Sequence, residues 1–451
     1  MPSTVDRRRL AAALERELVR FRETHPRSRA LAERARAHLH DGVPMSWMIR
    51  WAGAFPVFVE RAEGARFWDV DGHEYVDLCL GDTGAMTGHA PKAAVDAIRS
   101  QLDRGLTFML PTEDGLAVSA ELARRFGLPS WQIATTATDA NRFAIRIARH
   151  VTGRPKILIF SWCYHGTVDE TFAVLKDGRV VSRPGAIGPP VDPAVTTRVV
   201  EWNDAAALER ELAHGDVACV LAEPAMTNVG IVLPDPGFHA ALRELTRRAG
   251  ALLVLDETHT LSAGPGGCTR AWELSPDMLT VGKPLASGIP AAAYGFTQEV
   301  AERWRRMQSV DLADTGGIGG TLAGNALQLA AMRATLEQVL TEEAYARMIP
   351  VADRFAAGVE EVVRAHRLPW YVKQLGARAE YAYRDPPARN GGEAASAADP
   401  ELDRYLHLAA LNRGVLMTPF HDMALVSPAT TAADVDRHTA AFRESVEGLF
   451  A

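Results

Sequence analysis

The chain has 451 residues, more than one hydrophobic core usually serves, so at least two domains are expected, and its 47% hydrophobic content can fill both cores. Its 49 basic and 56 acidic residues give a net charge of -7 with both signs spread along the chain, which leaves no nucleic-acid footprint. Cys79, Cys163, Cys219 and Cys268 form no Cys-x-x-Cys pair, so neither a zinc site nor a disulfide framework is expected; no apolar run is long enough to span a bilayer, and the Arg- and Glu-rich N-terminal segment is unlike a targeting peptide. A reducing, cytoplasmic setting fits.

Residues Asp6 to Leu39 place Leu10, Leu14, Leu18 and Phe21 at helical spacing, and His25-Pro26 breaks the run. Two amphipathic helices are expected, packed on their own chain or on a second copy, with Arg7-Arg8-Arg9 solvated. From Phe55 to Leu80 the pattern alternates around Asp71-Gly72, a hairpin signal. Gly84, Gly88 and His89 follow, either lining a site or serving as ordinary loop residues. In Ile133 to Arg149, residues Ala140, Phe143, Ala144, Ile147 and Ala148 recur at helix spacing, so a helix starts near Asp139. Its free amides, with the hydroxyls of Thr136 and Thr138, either bind a phosphate or form a plain N-cap.

A strand from Lys156 to Phe160 leads to Ser161-Trp162-Cys163-Tyr164-His165-Gly166, and another from Cys219 to Ala222 leads to Glu223-Pro224 and Asn228. The apolar run Ala251 to Leu255 ends in Asp256-Glu257 and reads as a buried parallel strand, whose carboxyl end is where ligands sit. Lys283 then stands in Thr280-Val281-Gly282-Lys283-Pro284 among small and apolar residues, a setting suited to a nucleophilic amine and a Schiff base, before a second apolar run from Ile289 to Phe296. An amine to carry an imine and a carboxylate to keep a ring nitrogen protonated together suggest pyridoxal 5′-phosphate. Gly316 to Ala326 is a glycine cluster holding Thr321. Beyond Leu336 helices and short strands alternate again, and Pro386 to Pro400, small and polar, reads as a mobile loop.

These segments together resemble class III, fold type I aminotransferases that use pyridoxal phosphate, and most closely their glutamate-1-semialdehyde aminomutase branch. Asp256-Glu257, Pro265-Gly266-Gly267, Pro276-Asp277, Gly282-Lys283 and Ser287-Gly288-Ile289-Pro290 follow the family's order and spacing. The resemblance implies an α/β fold with a large doubly wound, mostly parallel sheet domain (81–335) and a small α+β domain. Residues 1–80, helices and hairpin, would join 336–451 in that small domain. It implies Lys283 as the lysine that carries the cofactor and moves the proton, and Asp256 as the partner of the ring nitrogen. Tyr164 would lie against the ring with His165 beside it, and Glu223 and Asn228 would lie near the phenolic oxygen. Thr136, Ala137 and Thr138 would form the phosphate cup, and Thr321 would reach the phosphate of a neighbouring subunit, so a homodimer with shared sites is implied. The cup departs from the family's Ser-Gly-Thr-Glu-Ala-Asn at Thr136, Ala137 and Asp139.

The expected activity is an aminotransferase moving an amino group between an amine or amino acid and an oxo acid or aldehyde. The alternatives are an aminomutase acting within one molecule, and a catalytically silent binding protein. Trp47 occupies the position where the aminomutase branch carries an arginine for the substrate carboxylate, with Met48 and Trp51 beside it, while Arg50 takes that role in a shifted register. With Thr258-His259 and His421 also departing, the expected substrate is an apolar or aromatic amine rather than glutamate-1-semialdehyde.

Overall fold

The computed structural model describes residues 5–188, 191–307 and 316–450. They divide into two compact units: one runs through Pro91 and takes in Glu343–Pro387 and the chain from Ala397 onward, the other comprises Lys92–Glu342 and Ala388–Ser396. These boundaries fall at 91 and 342 where the sequence suggested 80 and 335, and a nine-residue piece of the late chain returns to the larger unit.

In the smaller unit, helices α1 (Arg7–Thr24) and α2 (Pro26–Ala35) precede strands β1 (Val59–Glu63), β2 (Arg66–Asp69) and β3 (Glu74–Asp77). The expected hairpin is thus a three-stranded meander, with Gly64 (φ 58) turning its first corner and Gly72 (φ 92) its second. Asp71 accepts the first amides of α2, from Arg27 (2.6 Å) and Ser28 (2.9 Å), so the turn residue that closes the hairpin also caps a helix.

The larger unit opens with α3 (Lys92–Leu102), α4 (Glu113–Phe126), β4 (Ser130–Ala134) and α5 (Ala137–Thr152), then β5 (Lys156–Phe160) and a hairpin of β6 (Ala173–Lys176) and β7 (Arg179–Ser182). It continues through β8 (Thr197–Val200), α6 (Ala205–Leu212), β9 (Val217–Ala222), α7 (Phe238–Ala249), β10 (Leu252–Asp256) and α8 (Gly267–Ala271). Strands β11 (Met278–Val281) and β12 (Ala292–Phe296) and helices α9 (Gln298–Met307) and α10 (Ala326–Ala334) complete it. The sheet order is β4-β12-β11-β10-β9-β5-β8, parallel except where β12 runs against both neighbours. Alternate side chains of each strand face opposite layers: Ile157, Ile159, Cys219 and Leu221 pack with Phe143, Ala144 and Ile147 of α5, whereas Leu158, Phe160 and Val220 pack with Leu208, Leu242 and Leu245 of α6 and α7. Burial on both faces explains why these strands read as unbroken apolar runs.

Back in the smaller unit, the C-terminal part contains α11 (Glu342–Ala365, its first residue belonging to the larger unit), β13 (Tyr371–Leu375) and β14 (Arg378–Ala382). After α12 (Gly391–Ala395), which belongs to the larger unit, come α13 (Pro400–Asn412), β15 (Val415–Leu416), β16 (Met423–Leu425) and α14 (Ala432–Phe450). β15 joins the N-terminal meander beside β3, so both ends of the chain build this unit.

The stretch from Pro386 to Pro400 corrects the expectation of a mobile loop. Ala388 and Ala394 are buried in the same core as Trp202 and Phe238, and a Cβ on Gly391 would fall 2.1 Å from the Ser161 carbonyl oxygen. Its residues are small because they pack tightly against the end of β5, not because the segment is loose.

Candidate active site

Parallel strands deliver their following loops to one edge of the sheet, and there the end of β10 and the segments just after β4, β5, β9 and β11 carry residues that the sequence singled out. Asp256 is the last residue of β10 and is 3% exposed. Its Oδ1 accepts from the Thr258 amide at 3.0 Å; its Oδ2 accepts from Asn141 Nδ2 at 2.8 Å and lies 3.0 Å from His165 Nδ1. Burial alone would raise this carboxyl, but the hydrogen bond and charge of His165, with Thr258 and Asn141, more than reverse that and hold it below the ordinary carboxylate range. Burial likewise acts to lower the His165 imidazole, and Cys163 and Asp256 beside it raise it well above its usual value. The result is an internal anion with a fixed orientation.

His165, expected among the cofactor contacts, is only 1% exposed and bonded to Asp256, so it acts through that carboxylate. Tyr164, one residue earlier, is 36% exposed. Asn141 was missed by sequence reasoning. It is fully buried on the apolar face of α5, held from behind by the Thr280 hydroxyl at 2.6 Å, and a lone amide on that face was the available signal.

Helix α5 begins at Ala137 rather than near Asp139, with Thr136 as N-cap: its Oγ1 accepts from the Asp139 amide (3.1 Å) and donates to the Asp139 carboxylate (2.9 Å). Thr138 Oγ1 accepts from the Thr167 amide at 3.0 Å. Two glycines crowd this turn. A Cβ on Gly166 would lie 2.2 Å from Thr138 Oγ1, and one on Gly282 would lie 2.9 Å from Ala137 Cβ. The helix N-terminus is therefore drawn close to the loops after β5 and β11, which sets its first turn at the edge where Asp256 ends, a geometry suited to an anion.

Lys283 follows β11 in the left-handed region (φ 48) and is half-buried. Its Nζ lies 2.6 Å from His259 Nε2, and His259 Nδ1 lies 3.1 Å from Thr227 Oγ1, whose hydroxyl donates to Glu223. Glu223 and Thr227 are buried, and Asn228 donates to the Trp162 carbonyl at 3.3 Å.

Glu257 is turned away from this edge. It accepts from the Thr260 hydroxyl (2.5 Å) and from the Cys268 (3.1 Å) and Thr269 (2.5 Å) amides, anchoring the Pro265-Gly266-Gly267 segment. A Cβ on Gly267 (φ 59) would sit 2.2 Å from the Glu257 carboxylate, and one on Gly266 would sit 2.4 Å from the Arg125 carbonyl oxygen. Close approach requires both glycines, and at Gly267 the backbone does so as well.

Thr321 is exposed in the segment before α10. Trp47 and Arg50 belong to the smaller unit, on a short 3-10 turn (Ser46–Arg50), where both meet Phe420: the Trp47 ring edge-on at 6.0 Å and the Arg50 guanidinium 5.1 Å from the ring centre. His421, next to Phe420, is buried against Glu380 at 3.1 Å.

A family model described as Aminotransferase class-III matches residues 48–444. The chain is 34% identical over 444 residues to the glutamate-1-semialdehyde 2,1-aminomutase of Chloroflexus aggregans, spanning 95% of this chain and 99% of that relative. Among solved structures, a glutamate-1-semialdehyde-aminomutase from Pseudomonas aeruginosa PAO1 aligns with a TM-score of 0.97 and 51% identity over 99% of each chain. A lysine-to-alanine variant of that protein in complex with PMP aligns equally well. An omega-transaminase from Sphaerobacter thermophilus aligns with a TM-score of 0.85 and 28% identity, over 96% of this chain and 99% of that one. The chain belongs to the class-III aminotransferase family; it is a fold type I enzyme whose cofactor is pyridoxal 5′-phosphate. These relatives favour the aminomutase reading over the transfer between two molecules that the sequence put first.

Proposed function

We propose that this class-III aminotransferase moves an amino group between neighbouring carbons of one substrate, as a glutamate-1-semialdehyde-type 2,1-aminomutase, with Lys283 as the cofactor-bearing residue. The observation that carries amine transfer is the meeting, at one sheet edge, of a buried carboxylate, a free helix N-terminus and a lysine amine. The near full-length likeness to relatives bearing the aminomutase name supports the finer assignment.

Bound pyridoxal 5′-phosphate supplies an aldehyde that takes up amines and a ring that disperses negative charge from the adjoining carbon. The chain's residues fit that group. Asp256, kept anionic by His165, Asn141 and Thr258, would hold the ring nitrogen protonated. The first turn of α5, with Thr136, Ala137 and Thr138, would take the phosphate. Tyr164 offers an exposed aromatic face to the ring, and Glu223 and Asn228 would border the opposite polar edge. Lys283 Nζ would carry the cofactor between turnovers and move a proton at the reacting carbon once displaced by the substrate amine.

Borohydride reduction of the loaded protein should fix the cofactor on the peptide containing Lys283, and a labelled peptide lacking it would overturn the assignment. The substrate is tested by following the spectral change between the aldehyde and amine forms of the cofactor. Glutamate-1-semialdehyde and 4,5-diaminovalerate should drive it. A second reading, transfer between two molecules, is favoured by the exposed Trp47 and Phe420 rings and by the likeness to the omega-transaminase. It predicts that apolar or aromatic amines drive the change while both five-carbon compounds leave it untouched. We also propose a homodimer with shared sites and a cytoplasmic location; the four cysteines are free and buried, and no helix among the described residues is long and apolar enough to cross a membrane.

A further inference from the structure

We propose that His259 is the proton-exchange partner of Lys283, poised by Thr227 and Glu223 to take a proton from the lysine ammonium and return it. The inference rests on Lys283 being the cofactor-bearing lysine.

Register brings the two residues together. β10 and β11 are parallel, with Asp256 opposite Thr280, and the pairing runs on as the Glu257 amide donates to the Thr280 carbonyl at 2.8 Å. His259 stands three residues beyond Asp256 and Lys283 three beyond Thr280, so the two loops leave the sheet side by side. Nζ and Nε2 lie 2.6 Å apart. The adjacent strand β9, also parallel, supplies Glu223 directly after its end and Thr227 four residues later.

Counting hydrogens fixes the direction of the chain. A hydroxyl has one proton to give, and that of Thr227 goes to Glu223. Thr227 Oγ1 must then accept at 3.1 Å from His259, which places the imidazole proton on Nδ1. Nε2 is left with its lone pair toward Lys283. A proton passing from the ammonium breaks one N–H bond at Nζ and makes one at Nε2, and the new positive charge sits two hydrogen bonds from the Glu223 carboxylate. His259 is 9% exposed and Thr227 fully buried, so the arrangement is shielded from bulk water. The other carboxylates on this loop face elsewhere: Asp256 toward Asn141, His165 and Thr258, and Glu257 toward Thr260, Cys268 and Thr269. The lysine must be neutral to attack an aldehyde and must regain a proton after giving one up, and an imidazole nitrogen held 2.6 Å from Nζ can serve both needs.

The test measures capture of pyridoxal 5′-phosphate by cofactor-free protein, followed as growth of its absorbance band from pH 6 to 10, with circular dichroism confirming that each variant is folded. His259→Gln can still meet Lys283 through a hydrogen bond but cannot accept a proton; Thr227→Val removes the hydroxyl while leaving His259 in place. Capture by His259→Gln should be slower by on the order of 10-fold near neutrality and should recover at alkaline pH, where water removes the lysine proton. Thr227→Val should shift the profile in the same direction by less. Capture by His259→Gln at the wild-type rate throughout, or slowed equally at every pH, would overturn the proposal, the second result marking a merely structural contact. Should His259→Gln fail to fold, an unchanged pH profile in Thr227→Val would overturn it alone. Borohydride labelling of the wild type separates the two failures: label on another lysine defeats the assignment of Lys283, whereas label on Lys283 with an unchanged pH profile defeats only the role of His259.

Discussion

Replacing Asp256 by asparagine keeps the shape of the side chain and removes one of its two acceptors, and the structure sets the cost. Oδ1 faces the Thr258 amide, and Oδ2 faces Asn141 and His165. An amide has one oxygen, so either its NH2 group confronts the Thr258 N–H or it confronts two donors on the other side. His165, only 1% exposed and raised by Cys163 and Asp256 together, also loses the second of these partners. Breaking a buried pair while leaving the partner in place costs about 3–5 kcal/mol, which for a unit of this size lowers the melting temperature by on the order of 10 °C. The measurement is thermal unfolding of cofactor-free wild type and Asp256→Asn across pH.

The sign of the pH dependence follows from the shifts. Asp256 is depressed on folding, so its contribution is present above the ordinary carboxylate pKa, about 4, and is lost as pH falls through the folded value. His165 is raised, so its contribution is present below about pH 6.5 and is lost only as pH rises through its elevated value. The gap between the two proteins should therefore be widest between about pH 4 and 6.5, close in stronger acid, and narrow as pH rises toward the elevated His165 value. A melting temperature within about 2 °C of wild type at pH 7, or a gap that ignores pH, would refute the pairing as the source of the stability.

Asp422 in the smaller unit gives the opposite profile: burial, then the nearby Asp403 charge, raises it well above the usual carboxylate range, so the folded protein prefers it protonated and loses stability as pH rises through that value. Asp422→Asn should flatten this fall, its advantage over wild type growing from pH 5 to 9 in thermal melts; parallel curves would contradict it. For the shared sites, mixing a Lys283→Ala chain with a Thr321→Ala chain should restore one unimpaired site per heterodimer, and no recovery after confirmed subunit exchange would count against the dimer.

The positions of Asp256 and Lys283 were legible because strands of a doubly buried parallel sheet have a strong apolar signature, and the residues at and just after their ends gather at one edge of the sheet. The start of α5 was legible to within two residues because the cap chemistry of Thr136 is local. What stayed hidden was non-local. Nothing near Asn141 in sequence says that it meets Asp256, and His259 showed only as a departure beside the Asp-Glu pair, because its partners Thr227 and Lys283 lie on neighbouring strand ends. The stretch around Gly391 was misread because small residues have two causes, flexibility and tight packing, and composition does not separate them. Trp47 weighed toward an apolar amine, yet its observed contact is Phe420 on the same unit, a partner that register counting from Phe55 does not supply.

The related cup carries glycine at the position of Ala137, where a methyl group on an unadjusted turn would hold a phosphate off the backbone. The structure answers with a complementary glycine. Gly282, immediately before Lys283, has a negative φ (-146) and so is not in the left-handed region, but its missing Cβ would fall 2.9 Å from Ala137 Cβ and 3.3 Å from Ala292 Cβ. The methyl group of Ala137 therefore occupies space left by Gly282, and the helix start keeps its approach to the lysine loop. Gly282→Ala should overfill that contact at a cost of about 1–3 kcal/mol and weaken cofactor binding by separating the α5 turn from Lys283. Ala137→Gly alone should cost little beyond helix propensity, at most about 1 kcal/mol at a first-turn position. In the double variant the methyl simply changes sides, so part of the Gly282→Ala loss should be recovered, with Ala292 accounting for the remainder. Titrating pyridoxal 5′-phosphate into all four proteins gives the coupling directly. Additive losses would mean that the two residues do not share the space, and the cup's departure from glycine would then need another explanation.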